Sequence, residues 1–176
     1  MPTNPTNIHL ELVQQAVAQC QVVQMHYFSP SSGQFTERSI EPVGTFRYGD
    51  AWHVVAYCQL RQGYRNFRLD RMSKLSVSEA TYMSHNSTAL EAYLEQQSQT
   101  TDVTWVKVHF APSTVSLVKT QAYFHGFVMQ KDTSDAVEMS FLVEQEEPFF
   151  RWLLQYNHAI SMVFPMHWQQ AFAKMK

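Results

Sequence analysis

The stretch Arg65-Asn66-Phe67-Arg68-Leu69-Asp70-Arg71-Met72 sets four charged side chains among apolar residues within one short strand and a turn. Phe67 and Leu69 read as core anchors, so the backbone that carries Arg65 and Arg68 is expected to be rigid. Two further phrases belong with it: Arg38-Ser39-Ile40-Glu41-Pro42 and Trp52-His53-Val54-Val55-Ala56-Tyr57-Cys58. Six of the seven arginines (Arg38, Arg47, Arg61, Arg65, Arg68 and Arg71) fall between positions 38 and 71, and no lysine does. Arginine is favoured over lysine where planar, bidentate recognition of a carboxylate, a phosphate or a base edge is needed. Glu37, Glu41, Asp50 and Asp70 can neutralise some of the six, but the four cations from 61 to 71 meet only Asp70 locally.

Working outward, residues 8–20 read as a helix capped by Asn7, with Leu10, Val13, Val17 and Cys20 at helical spacing. Strands are expected over 21–28, 36–43, 52–58, 64–69 and 75–81, with turns at Ser29–Gly33 and Tyr48–Asp50. Pro42, which lacks an N–H, marks a strand end or edge. One helix followed by about five short, bent strands suggests a small barrel, because closure removes exposed strand edges. Residues 83–101 read as a polar linker with a helix over 89–97. From 102 onward the expected order is β-α-β-β-α-β, with strands at 103–110, 124–130, 136–143 and 159–164 and helices at 112–122 and 147–157. That order is the split pattern of a ferredoxin-like fold, and a terminal helix follows it.

Composition narrows the function classes. The 176 residues are 45% apolar with a formal charge of -2, so a core can be buried and a bulk electrostatic grip on DNA is not expected. Two cysteines, Cys20 and Cys58, are too few for a disulfide framework. The N-terminus has no signal-peptide pattern, and no apolar run approaches the roughly 20 residues of a membrane span. The expectation is a cytoplasmic protein. Histidines are scattered without metal-ligand spacing, and no nucleophile motif or phosphate-cradling glycine loop is present. No metal, no cofactor and no enzymatic activity are expected.

Over residues 8–82 the chain resembles the WYL-domain proteins, bacterial transcription regulators and related sensors. The residues that carry the resemblance are His26-Tyr27, Arg38-x-Ile40-x-Pro42, Gly49-x-x-Trp52, Ala56-Tyr57-Cys58 and Arg65-x-Phe67-Arg68-Leu69-Asp70-Arg71, in family order and spacing. It implies an Sm-like, SH3-type small β-barrel with an N-terminal helix. Residues 102–176 resemble the extension that often follows this barrel, through Phe150-Arg151-Trp152-Leu153-Leu154 and Ile160-Ser161-Met162-Val163-Phe164-Pro165. The expected organisation is a sensing barrel over 8–82, a bridging segment over 83–101 and a ferredoxin-like domain over 102–176. The name-giving triplet is here Trp52-His53-Val54, so a histidine stands where the family has tyrosine. Family regulators usually carry a helix-turn-helix ahead of the barrel. Only about seven residues precede the first expected helix, which fits either a trimmed regulator or a stand-alone sensor.

Arg65 and Arg68 are the first candidates for ligand contact, and the resemblance implies that pocket-facing arginines come from their phrase. Arg38 alternates with Ile40 on a core-side face, where a cation must be paired or face a cavity. Arg71, beside Asp70, suits a structural pair as well as a ligand. Arg47 and Arg61 flank turns and read as solvated. Tyr27 and His53 can supply hydrogen bonds or stacking to a ring. Met162, Phe164, Met166 and Trp168 suggest a dimer surface. Two functions follow. One is a sensor, expected to be a homodimer, that binds an anion; the resemblance implies a nucleotide or short single-stranded nucleic acid, with DNA met only through an absent helix-turn-helix. The other is an interaction module whose arginines grip acidic partner surfaces.

Overall fold

The computed structural model describes residues 5–83 and 87–176. It is a mixed α+β chain with two antiparallel sheets, one of five strands and one of four. Its contacts divide it into two compact units. The first takes in the described residues up to Thr45 together with Asp50–Tyr93, and the second takes in Phe46–Gly49 and Leu94–Lys176.

In the first unit, helix α1 (Pro5–Gln19) precedes strands β1 (Gln21–Ser29), β2 (Gln34–Tyr48), β3 (Ala51–Cys58), β4 (Gly63–Arg68) and β5 (Met72–Thr81). The helix starts earlier than expected, so Asn7 lies inside it instead of capping it. Strand β2 also runs well past Pro42. The β1 ladder ends at Val23↔Ile40, so Pro42 lies where β1 asks for no N–H, and its carbonyl accepts the Tyr82 hydroxyl. Strand order is β4-β3-β2-β1-β5, with β4 and β5 at the two edges. The expected closed barrel is therefore not formed by strand pairing: a 3-10 turn, Leu69–Arg71, carries the chain from one edge strand to the other. Alternation sends Val23, Met25, Ile40, Val54, Ala56, Cys58 and Phe67 to one face, where they pack with Leu10, Val13 and Ala16 of α1.

The helix expected over 89–97 is longer, α2 (Ser87–Thr100), and the division between the units falls within it, after Tyr93. Then follow β6 (Thr104–Phe110), α3 (Val115–Ala122), β7 (Phe127–Asp132), β8 (Val137–Val143), α4 (Glu146–Leu154), β9 (Ile160–Phe164) and α5 (Met166–Met175). Strand order is β7-β8-β6-β9, so each of α3 and α4 links two strands that have one other strand between them. Val106, Val108, Phe110, Met139, Phe141 and Val163 line the face that packs on Phe149, Phe150, Leu153, Trp168 and Phe172. Strand β7 begins three residues later than expected, because Tyr123–His125 winds as a 3-10 turn. Gly126 ends that turn at φ 87, and its carbonyl accepts the Leu142 N–H at 2.9 Å.

Gly126 is the position where backbone demand and close approach coincide. A Cβ there would lie 2.1 Å from the Leu142 carbonyl oxygen. Gly126→Ala should lower unfolding free energy by about 2–4 kcal/mol in denaturant titration, since it combines a left-handed φ with a backbone clash. A change within about 0.5 kcal/mol, typical of an unconstrained surface site, would show that the Gly126–Leu142 approach is not obligatory.

Candidate functional site

The first unit brings part of the arginine set together. Tyr27, Ser29, Arg38, Arg61, Arg65, Asn66 and Phe67 line one cavity of about 280 Å³, close to the roughly 300 Å³ at which small-ligand pockets begin. Among the described residues no acidic side chain lines it. Arg38 pairs with Met25 in register and Arg65 with Ala56, so both cations stand on the core-side face of the sheet. Phe67, next along that face of β4, is buried at 5% exposure and seals the apolar side. Arg61 comes from the turn between β3 and β4 and is exposed, as is Arg65.

Neighbouring atoms fix two of these side chains. The Arg38 Nε donates to Thr36 Oγ1 at 3.1 Å, and its Nη1 lies 3.7 Å from the buried Cys58 Sγ. Neither partner is a carboxylate. Tyr27 packs edge-on against Phe67, with ring centroids 5.0 Å apart. Its hydroxyl oxygen accepts the Arg68 backbone N–H at 3.1 Å. The tyrosine proton stays available to a ligand oxygen, because a hydroxyl can accept and donate at once.

The other expected contacts lie elsewhere. Arg68 pairs in register with His53, on the face opposite Arg65. Its Nε and Nη2 donate to the two oxygens of Asp70 at 3.0 and 2.7 Å, and Asp50 stands 3.8 Å away. This bidentate geometry occupies the fork that a ligand would need. The Arg68 hydrogen bonds hold the Asp70 carboxyl below its usual range, and the charges of Arg68 and Arg71 add to the effect. Arg71 lies in the 3-10 turn and does not line the cleft. His53 is buried, with its Nδ1 2.9 Å from Asn66 Oδ1. Arg61, expected from the sequence to be solvated, lines the cleft, whereas the Asn66 side chain is held by His53 on the other face. The signal for Arg61 was the short connection from Cys58 to Gly63, a register pair, which folds the turn back beside Arg65.

Among the described residues no three His, Cys, Asp or Glu side chains gather as a metal site, and no helix is long and apolar enough to cross a membrane. A cleft of this kind, with several guanidinium groups, one phenol and no carboxylate, can hold an anion with two or more charged oxygens.

Comparison with known proteins agrees at the level of the first unit. Residues 8–77 match the WYL domain family. That stretch of the chain is similar to a WYL domain, and the match ends before β6. It is 22% identical over 147 residues to the HTH-type transcriptional regulator YobV of Bacillus subtilis (strain 168). That alignment covers 80% of this chain and 45% of the relative, so the chain spans less than half of the relative's length. Among solved structures, it is similar to proteasome accessory factor B/C (PafBC) of Arthrobacter aurescens, at 16% identity and a TM-score of 0.43 over 98% of this chain and 26% of that one. A CRISPR Cas-related protein is similar at 10% identity and a TM-score of 0.42, over 97% of this chain and 50% of that one. Likenesses of that size leave the fold to be read from the chain's own strand pairing.

Burial lowers the pKa of His53 from the ordinary 6.5, against the hydrogen bond with Asn66, and the Arg68 charge lowers it further. The unfolded chain therefore binds a proton here at a pH where the folded chain does not. Stability linked to this group is complete above about 6.5 and is lost as pH falls from there toward the lower, folded-state pKa. Wild-type stability should decline through this window, and His53→Gln should decline less. Equal declines in parallel denaturant titrations would show that His53 does not contribute.

Proposed function

We propose that this chain is the ligand-sensing region of a transcriptional regulator and that the cleft between β1, β2 and the β3–β4 hairpin binds an anion. The observation that carries this reading is the set of Arg38, Arg61 and Arg65 around Tyr27 with no carboxylate among them. Arg38 is half-buried, and a half-buried cation without a counter-ion is costly unless a ligand supplies the charge; Arg61 and Arg65 are exposed and free to swing onto the same ligand. The ligand class that fits is a nucleotide or a short single-stranded nucleic acid: phosphate oxygens for the guanidinium groups, and a ring for Tyr27. Arg68 and His53 frame the site from the opposite face through Asp70 and Asn66, and Arg71 lies beside them.

The match to a WYL domain and the likeness to an HTH-type regulator support the regulatory role. In that role the chain works in the cytoplasm by binding and performs no catalysis. We read 8–82 as an Sm-like barrel whose last side is closed by the 3-10 turn. We read 83–101 as a bridge and 102–176 as a ferredoxin-like domain, on the strength of the β7-β8-β6-β9 order. The second domain would make the homodimer, and a helix-turn-helix elsewhere in the regulator would meet DNA. Ligand binding then shifts the balance of two dimer states by its differential affinity for them.

Fluorescence anisotropy of a labelled oligothymidylate, titrated at several salt concentrations, tests the cleft. Arg38→Ala, Arg61→Ala and Arg65→Ala should each weaken binding and flatten the slope of log K against log salt by about 0.7, the value for one lost single-strand phosphate contact. Arg68→Ala should keep the wild-type slope. No binding by folded wild type, or a slope lost in Arg68→Ala and kept in Arg65→Ala, would overturn the assignment.

A further inference from the structure

Strand β5 carries a strained lysine. Between the register pairs Gln24↔Ser76 and His26↔Ser73 the β5 side has one residue more than the β1 side, so Lys74 and Leu75 together oppose Met25. This is a β-bulge. Lys74 holds it at φ 47, in the left-handed region where glycine is at ease and a long side chain is not. Glycine would meet the backbone demand. The chain instead places an exposed cation there, and among the described residues no ion pair joins it. Strain kept at a position that a plainer residue would relieve is a pointer to a side chain with a task.

Lys74 borders a groove of about 600 Å³ that is also lined by Gln24, His26, Ser39, Gln59 and Ser76. Amides, hydroxyls and an imidazole of this kind suit the edges of bases and sugars. Glu37 lines it too and lies 3.3 Å from His26. Its carboxylate repels a phosphate on that side and can accept a base amino group. Alternation along β1 and β2 puts this groove on the face opposite the arginine cleft. The two are neighbours all the same: Arg38 lines both, and the β3–β4 turn runs between them, with Gln59 and Leu60 on the groove and Arg61 on the cleft.

We infer that the groove is a second subsite for the same ligand, and that this ligand is a single-stranded oligonucleotide in preference to a mononucleotide or free phosphate. One phosphate sits among Arg38, Arg61 and Arg65. The strand continues round the β3–β4 turn, with Lys74 on a later phosphate and base edges against Gln24 and Gln59. The inference rests on the reading of the arginine cleft as an anion site.

The test compares a labelled thymidine dinucleotide with an oligothymidylate of about eight nucleotides, inside the roughly 4–16 that single-strand-binding folds cover. Lys74→Gly should melt at or above the wild-type temperature, which separates binding from folding. It should bind the dinucleotide as wild type does, bind the longer oligonucleotide more weakly, and lose about 0.7 of its salt slope. Lys74→Arg should restore the slope, and Arg65→Ala should weaken both lengths. Equal wild-type affinity for the two lengths, or unchanged long-oligonucleotide binding by Lys74→Gly, would overturn the subsite while leaving the cleft standing. Failure of wild type to bind either length would overturn the cleft reading, and the subsite with it.

Discussion

Tyr27 ties two strands that the sheet order keeps three places apart. Its ring packs on Phe67 and its hydroxyl takes the Arg68 N–H, so β1 reaches across to β4 although β2 and β3 lie between them. A five-stranded sheet can make that contact only if it is strongly curled. The curl gathers the core-facing residues of all five strands over α1. At its open end it brings Arg38 and Arg65 to the same side of the sheet as their apolar neighbours. The cleft is thus a by-product of the bend: the face is apolar along most of its length and cationic where it runs out.

Strand β4 uses both of its faces. Arg65 and Phe67 look toward the cleft and the core, while Asn66 and Arg68 look the other way, toward His53. The opposite face is internally satisfied, with a bidentate Arg68–Asp70 pair and a histidine–amide hydrogen bond. The cleft face is not: its arginines meet a hydroxyl, a thiol and solvent. Two arginines three positions apart in one strand therefore have different surroundings, one paired in the turn that joins β4 to β5 and the other exposed at the cleft. An exposed Arg68–Asp70 pair adds little to stability by itself; its effect is to hold the turn beside the cleft.

Much of the first unit was legible because alternation is a strong signal. The core-side placement of Arg38 with Ile40, of Trp52 with Val54 and Ala56, and of Phe67 as an anchor follows from period-two spacing in short apolar strands. The β-α-β-β-α-β order of the second unit was legible for the same reason. What stayed hidden depended on contacts far apart in sequence. Nothing local says that β2 continues beyond Pro42, because that requires knowing where the β1 ladder stops. The proximity of Asp70 to Arg68 was plain, but not that a 3-10 turn would aim its carboxylate at the guanidinium fork. Arg61 looked like a solvated turn residue until the hairpin placed it beside Arg65. The strain at Lys74 comes from a register shift with β1, which no reading of β5 alone reveals.

The most direct measurement of the central claim is a crystal structure of the chain with a short oligothymidylate bound. The account predicts a phosphate held by Arg61 and Arg65 at charge-assisted distances of about 2.7–2.9 Å, with Tyr27 donating to it and the Arg68–Asp70 pair intact. An oligonucleotide phosphate seated on Arg68 with that pair broken, and an empty cleft on the other face, would contradict it.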